Sequence, residues 1–461
     1  QRINDRISEL LEKDPLNPAL RRQQNLLAKA DISTIHSFCS RVIREFSSSL
    51  DISADVRIGE DGELMVMRNE AMDLTLSKFY GENNEYFNQL ASAFSSGRDD
   101  VKLRNIIFRL YDFLRSHPFA DSWLQEKLSF YREGQEVSQT VWGKIIRDYC
   151  VGACQYSLSV AEISMEISTE EEKIYNAINL LLASDLAFLR SMSETLESGT
   201  WDEIKQKLSS FEKGTFRTPR GYKDHPLAVK LKQNREIIKS TVEEMQKLFA
   251  QSEEECLEDI DYLRPIVEQM FLCIKEFGEN FKKLKESKNI VDYSDLEHYT
   301  LQILVKRENG EITFTEEADR ISQRFDEVMV DEYQDTNEVQ DLIFKAISRE
   351  KNLFVVGDVK QSIYGFRQAM PEIFLRRRES CERYNPDKDN YPAKIILEKN
   401  FRSRKTVTDG VNFAFERLMS KEVGDMEYNE DEMLVSGASY PETEEAGVEV
   451  HFLEYPGGGD M

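Results

Sequence analysis

The sequence predicts an α/β protein, a parallel-sheet core interrupted by a large all-helical insertion. Three observations predict it. Val328-Met329-Val330 is a short, partly β-branched apolar run that ends in Asp331-Glu332. A helix follows it, with Val339, Leu342, Ile343, Ala346 and Ile347 at helical spacing. Two further strand candidates come next: Leu353-Phe354-Val355-Val356, ending in Gly357-Asp358-Val359-Lys360-Gln361, and Ile395-Ile396-Leu397, ending in Glu398-Lys399-Asn400-Phe401-Arg402-Ser403. From about residue 50 to 290, by contrast, the chain shows long helical periodicity, many Glu/Lys pairs and few strand signals. Ligands of open parallel sheets sit at the carboxyl ends of the strands. Carboxylates there suit a magnesium ion, and a second one beside it suits the polarisation of a water. Taken alone, Asp331-Glu332 is equally well explained as an acidic turn before a helix capped by Thr336 or Asn337.

At 461 residues the chain has room for roughly two to four domains. Charged residues make up 31% and apolar ones 40%, so sizeable cores are expected. No apolar run approaches twenty residues and no signal-peptide pattern is read, so no membrane partner and a cytoplasmic location are expected. The six cysteines are scattered and are expected to be reduced and mostly packed. Cys150 and Cys154 are spaced to share a helix face, but no Cys or His pair of matching spacing completes a metal site. The net charge of −25 opposes general binding to phosphates. Local charge differs from the total. Lys360, Arg367, Arg376, Arg377, Arg378, Lys399, Arg402, Arg404 and Lys405 cluster, while acids crowd 160–175 and 425–446. The expectation is a focused basic channel on an acidic body.

In chain order, Ile3, Ile7, Leu10 and Leu11 predict an amphipathic helix, and 16–30 is a polar connection with a helical turn or more. Phe38, Cys39, Val42, Ile43 and Phe46 predict a helix from Ile35, with Ser33 or Thr34 as its cap. Its start offers free amides, a hydroxyl and the His36 imidazole, a good seat for a phosphate. Taken alone, an ordinary cap with a packed histidine is the simpler reading. Helices are expected over 64–79, 103–114, 141–154, 169–196, 228–249 and 256–285, with 214–226 the clearest loop. Trp123, Trp142 and Trp201 suit a core or interface better than base stacking. Asp292 and Asp295 are expected to cap a helix running through Leu301, Ile303 and Leu304, where the chain returns to the core.

The runs Asp331-Glu332-Tyr333-Gln334-Asp335-Thr336-Asn337, Gly357 to Arg367, and Leu397 to Ser403 resemble motifs II, III and IV of the UvrD/Rep class of superfamily 1 DNA helicases, in order and in spacing. Thr34-Ile35-His36-Ser37-Phe38 resembles the TxHxF element of the same helicases. Ile35 to Phe46, Leu110 to Pro118, Val291 to His298, and Asn400 to Ser403 followed by Val411-Asn412-Phe413 look most like the AddA (RexA) subunits of bacterial AddAB helicase–nucleases.

The resemblance implies a RecA-like P-loop NTPase motor core that uses ATP and Mg²⁺. The first motor domain would comprise 1–50 and 290–392, the helical insertion 51–289, and the start of a second motor domain 393–461. Asp331 would hold Mg²⁺, and Glu332 would activate the water that attacks the γ-phosphate. Gln334 and Gln361 would couple nucleotide to DNA, Gln361 near the γ-phosphate, and Arg402 would bridge the motor domains. Tyr364 and Phe366 would stack on unpaired bases with Arg367 beside them, and Thr34 and His36 would touch the single strand's backbone. Single-stranded and duplex-end DNA and an AddB/RexB-type second subunit are the implied partners.

The departures are also informative. G-x-x-x-x-G-K-[ST] does not occur in the 461 residues, nor do motifs V and VI or the nuclease site. The expectation is an internal piece of an ATP-dependent DNA helicase, itself without ATPase or nuclease activity, that ends just after a strand over 448–453. The alternatives are a UvrD/PcrA-type repair helicase without nuclease, and a non-catalytic DNA-binding subunit that kept the fold.

Overall fold

The computed structural model describes residues 2–27, 30–50, 56–95, 99–131, 136–308, 310–388, 390–441, 448, 449 and 451. The chain separates into two units, one of residues 1–67, 112–118 and 283–461, the other of 68–111 and 119–282.

The first unit is built on short parallel pairings. Val328–Val330 pairs with Leu353–Val355 in the register Val328↔Leu353. The crossover between them is the helix Glu338–Ala346, capped by Asn337, whose side chain accepts from the Gln340 N–H. Val339, Leu342, Ile343 and Ala346 are buried at the predicted spacing. Arg57–Ile58 pairs in parallel with Ile290–Val291, which brings together two stretches 233 residues apart. The helix Tyr293–Leu304 follows with the expected cap. Asp292 accepts from the Asp295 N–H while the Asp295 carboxylate accepts from the Asp292 N–H. The buried Lys285 ammonium reaches Asp292 at 2.7 Å and Asp295 at 2.5 Å. The helix packs against Ile35–Glu45 and Glu338–Ala346. A hairpin, Val305–Glu308 with Glu311–Phe314, turns at Gly310, whose φ of 88° suits a residue without Cβ.

One expected strand is absent. Ile395-Ile396-Leu397 lies between two short strands, Ala393–Lys394 and Lys399–Asn400, and belongs to neither. Among the described residues, backbone partners are found only on either side of it, since Tyr384 N–H donates to Lys394 O and Val435 N–H to Glu398 O. An apolar triplet without ladder partners among the described residues has no reason to extend as a strand, and Ile395 and Leu397 stay exposed. The expected strand at 448–453 lies largely outside the described residues. The described sheets are all two-stranded, parallel except for the hairpin, and the described residues are mostly helical, so the extended parallel sheet expected is not seen among them.

The second unit is all-helical. Val141–Ser168, Glu172–Ser198, Trp201–Ser209 and Pro226–Leu248 surround a core that includes Cys150, Cys154, Leu189, Met192, Trp201, Val242 and Phe249. Burial pushes the Cys150 thiol up to about 12 and that of Cys154 up to about 11, so both act as small apolar groups. Trp201 is buried, and its indole N–H donates to Gln251 O at 3.1 Å. Trp142 instead is exposed, with its ring 5.6 Å from that of Tyr131, and so is not a core residue. The buried carboxylate of Asp185 takes Nε of Arg235 at 2.8 Å and a second guanidinium N–H at 3.3 Å, and Arg235 also donates to Gly214 O at 3.0 Å. Among the described residues no helix is long and apolar enough to cross a membrane.

Candidate nucleotide and nucleic-acid site

The strand Val328–Val330 stops where its neighbour takes over the backbone. Val356 N–H donates to Val330 O at 2.9 Å, and Tyr333 N–H donates to Val356 O at 2.8 Å. Between these two bonds the chain must turn within two residues. Glu332 therefore occupies the left-handed region at φ 51°, ψ 43°. For a residue with a Cβ that costs about 1–2 kcal/mol, strain of the kind functional loops retain. The turn leaves both the Asp331 and Glu332 carboxylates exposed at the strand's carboxyl end.

Gln334 joins this turn to the next one. It is almost completely buried. Its Nε2 donates to Glu332 Oε2 at 2.7 Å, while its Oε1 accepts the Asp358 N–H at 3.0 Å. Gln361 Nε2 in turn donates to Asp358 Oδ2 at 2.9 Å. Asp331, Glu332, Gln334 and Gln361, singled out in the sequence, thus fall within one hydrogen-bonded run completed by Asp358. Burial opposes ionisation of Asp358, but bonds from Lys360 and Gln361 outweigh it and hold the carboxyl below its usual range. Asp335 moves the other way, raised by burial and by the Glu332 charge. Tyr333 anchors the turn from beneath. Its hydroxyl donates to Asp341, its ring lies 6.0 Å from that of Phe374, and burial pushes it up.

Gly357 is the residue this arrangement cannot replace. A Cβ there would meet Gln334 Oε1 at 2.5 Å and the backbone nitrogens of Gln334 and Tyr333 at 3.2 Å. Gly357→Ala is expected to displace Gln334 and destabilise the core unit by about 1–3 kcal/mol in urea denaturation. A loss under about 0.5 kcal/mol would mean that the close approach is slack.

The second group of predicted residues also forms a cluster. The Tyr364 and Phe366 ring centroids are 5.8 Å apart, and the Arg367 guanidinium lies 5.0 Å from the first and 5.5 Å from the second. Phe366 is 74% exposed, which no core role explains. The same loop contributes Gln368, Ala369 and Met370 to a groove completed by Phe113, Glu338 and Arg376. Glu338 is held below its usual range first by the His117 imidazole, at 2.8 Å.

Thr34 caps the helix Ile35–Glu45, accepting the Ser37 N–H at 3.3 Å. His36 Nε2 lies 3.1 Å from Glu297 Oε1, and its ring is 4.6 Å from that of Tyr293. Gln340 also donates to Glu297 Oε1, at 2.7 Å. These contacts tie His36 in place and leave the exposed Thr34 at the helix start. Arg402 stands apart from the acidic turn. It is exposed, its backbone N–H donates to Asn400 Oδ1 at 2.9 Å, and no described hydrogen bond or ion pair joins its guanidinium to Asp331 or Glu332.

The expected basic channel is narrower than the sequence suggested. Lys360 and Arg378 are half-buried and paired with the buried Glu432, at 2.8 and 2.5 Å. Arg367, Arg376, Lys399, Arg402 and Lys405 remain exposed. Sequence reasoning missed Asp358, Gly357 and Glu432. A glycine directly after a strand was the available signal for the first two, and nothing local marked the third.

Comparison with known proteins fits this geometry. Residues 1–382 match the family model described as the UvrD/REP helicase N-terminal domain. Proteins named as the A subunit of an ATP-dependent helicase/nuclease are similar over nearly the whole chain. The one from Ruminiclostridium cellulolyticum is 35% identical over 98% of this chain and 37% of its own length. That from Anoxybacillus flavithermus is 36% identical over 96% and 37%, and that from Geobacillus kaustophilus 38% identical over 98% and 37%. The chain spans a little over a third of the length of these relatives, 37% in each case.

Proposed function

We propose that this chain, which belongs to the UvrD/REP helicase family, supplies one face of the ATPase site and part of the single-strand track of an ATP-dependent DNA helicase. The type is that of AddA in the helicase/nucleases, which would open duplex ends in break repair and recombination beside a second subunit of the AddB/RexB type, in the cytoplasm. The run from Glu332 through Gln334 and Asp358 to Gln361, three residues before the first ring of the Tyr364–Phe366 pair, carries this reading.

In this reading the fold is a RecA-like P-loop NTPase core. Residues 1–50 and 290–392 belong to the first motor domain, 51–289 to a helical insertion and 393–461 to the start of the second motor domain. The carboxylate pair fits a magnesium ion, because both groups are hard oxygen donors left exposed and Mg²⁺ takes only one or two carboxylates beside substrate phosphates. Asp331 would hold it, and bound there it would neutralise charge on the transferred phosphoryl group. Glu332, oriented by the Gln334 amide, accepts the proton of the attacking water. Gln334 answers to both sides: any shift of the Asp358 backbone is felt at the Glu332 carboxylate. Gln361 sits on the same loop as Tyr364 and Phe366, so a strand stacked on the rings bears on the residue proposed to sense the γ-phosphate. Arg402 would add positive charge from the second motor domain. Base stacking tolerates any sequence, as a motor requires. Differential affinity for DNA in the two nucleotide states then drives stepping.

The test is single-strand binding by Phe366→Ala. Stacking is worth about 1–3 kcal/mol per base, so affinity for an unpaired oligonucleotide should fall roughly tenfold. The slope of log affinity against log salt should stay unchanged, since no phosphate contact is lost. Unchanged affinity would remove the rings from the track.

A further inference from the structure

We propose that Glu432 is a positioning residue for the loop from Asp358 to Gln361, holding it against the segment that carries Arg402; this rests on the ATPase reading above. Glu432 lies in the turn before the strand Val435–Ser436 and is only 5% exposed. Its Oε2 accepts from the Lys360 ammonium at 2.8 Å, and its Oε1 meets the Arg378 guanidinium at 2.5 Å. The same ammonium reaches Asp358 Oδ1 at 2.8 Å, and the other Asp358 oxygen accepts from Gln361. Two carboxylates and two cations therefore close one neutral, partly buried cluster beside Gln361, with Glu432 at its buried centre.

On its other side Glu432 is joined to Arg402 through backbone. Val435–Ser436 pairs in parallel with Lys399–Asn400. Asn400 Oδ1 then accepts the N–H groups of Arg402 at 2.9 Å and Ser403 at 2.8 Å. The Tyr440 hydroxyl adds a bond to Arg402 O at 2.8 Å. Glu432 thus ties the segment paired with the strand before Arg402 to the Gln361 loop.

A buried charge left without its partner is strongly unfavourable. The penalty falls first on the buried Glu432 carboxylate, so the joint is favoured while Lys360 and Arg378 stay against it. Burial works against the Lys360 charge, but Asp358 and Glu432 outweigh it and hold the ammonium above its usual range. Among the described residues no hydrogen bond or ion pair joins Glu432 to Asp331 or Glu332. The effect of Glu432 is on coupling, the degree to which DNA on the rings alters turnover.

The experiment is ATP turnover by the native protein, with and without a single-stranded oligonucleotide, for wild type, Glu432→Gln, Glu432→Asp and Glu332→Gln. Glu432→Gln is expected to lower the DNA-stimulated kcat about tenfold, within the usual range of coupling between sites, while KM for ATP and the DNA-free rate stay within about twofold. Glu432→Asp, which keeps the charge, is expected to recover most of the stimulation. A Glu432→Gln enzyme as stimulated as wild type overturns the proposal. So does a common fall of kcat, the DNA-free rate and Tm that Asp does not rescue, because that pattern marks a merely structural residue. Turnover that survives Glu332→Gln would refute the ATPase reading itself, whatever Glu432 does.

Discussion

Glu332→Gln in the native protein is expected to lower DNA-stimulated ATP turnover about a thousandfold while nucleotide binding stays within about threefold. The magnitude follows from the role. Removing a positioned general base costs roughly 10²- to 10⁴-fold, or about 3–5 kcal/mol of barrier. The selectivity follows from geometry. Glutamine keeps the volume and one oxygen, so the Gln334 amide that now donates to Glu332 at 2.7 Å retains an acceptor. The left-handed turn at φ 51° is equally available to both side chains. Asp331→Asn should behave differently, weakening the binding of magnesium nucleotide along with turnover, because the proposed metal ligand is changed. Steady-state turnover beside equilibrium binding of a nucleotide analogue separates the two. A loss smaller than tenfold for Glu332→Gln would assign the base to another group.

How far the sequence revealed this site depends on how local each feature is. The strands Val328–Val330 and Leu353–Val355 were legible because each is an apolar triplet bounded by a polar turn, and the helix after the first because its cap and spacing lie within ten residues. The Tyr364 and Phe366 pair came from the resemblance to the helicase motifs, and the two rings do lie together. The left-handed Glu332 was not legible, since it arises from backbone bonds to Val356, on the neighbouring strand. His36 drew attention as a phosphate contact, while its partner Glu297 lies 261 residues away. Lys360 and Glu432 are 72 residues apart, and within the acidic stretch 425–446 nothing set Glu432 apart from its neighbours. The misread strand at 395–397 has the opposite cause. Its hydrophobicity is local, but a strand is defined by its neighbour, and the neighbours pair on either side of it.

In the helical unit the largest stability effect is expected at Asp185 and Arg235. Both side chains are almost fully buried, and their bidentate contact also holds the Gly214 carbonyl at the start of the loop before Pro226. Asp185→Ala should destabilise the unit by about 3–5 kcal/mol, because it strands a buried guanidinium. Replacing both residues with leucine should cost less than the single change, since no charge is then left alone. Arg235→Leu adds a test by pH. Burial already raises the Asp185 carboxyl above its usual range, against the lowering effect of Arg235. Without Arg235 it rises further. An acid whose folded pKa is raised holds its proton in the folded state above the pH at which the unfolded chain releases it, so stability declines as pH climbs through that window. Arg235→Leu should therefore be more destabilising at pH 8 than at pH 5. Tryptophan fluorescence in urea reads this unit selectively within residues 1–461, since Trp123, Trp142 and Trp201 all belong to it. Equal losses at the two pH values, or a cost under about 1 kcal/mol for Asp185→Ala, would show that water reaches the pair and that it carries little of the fold.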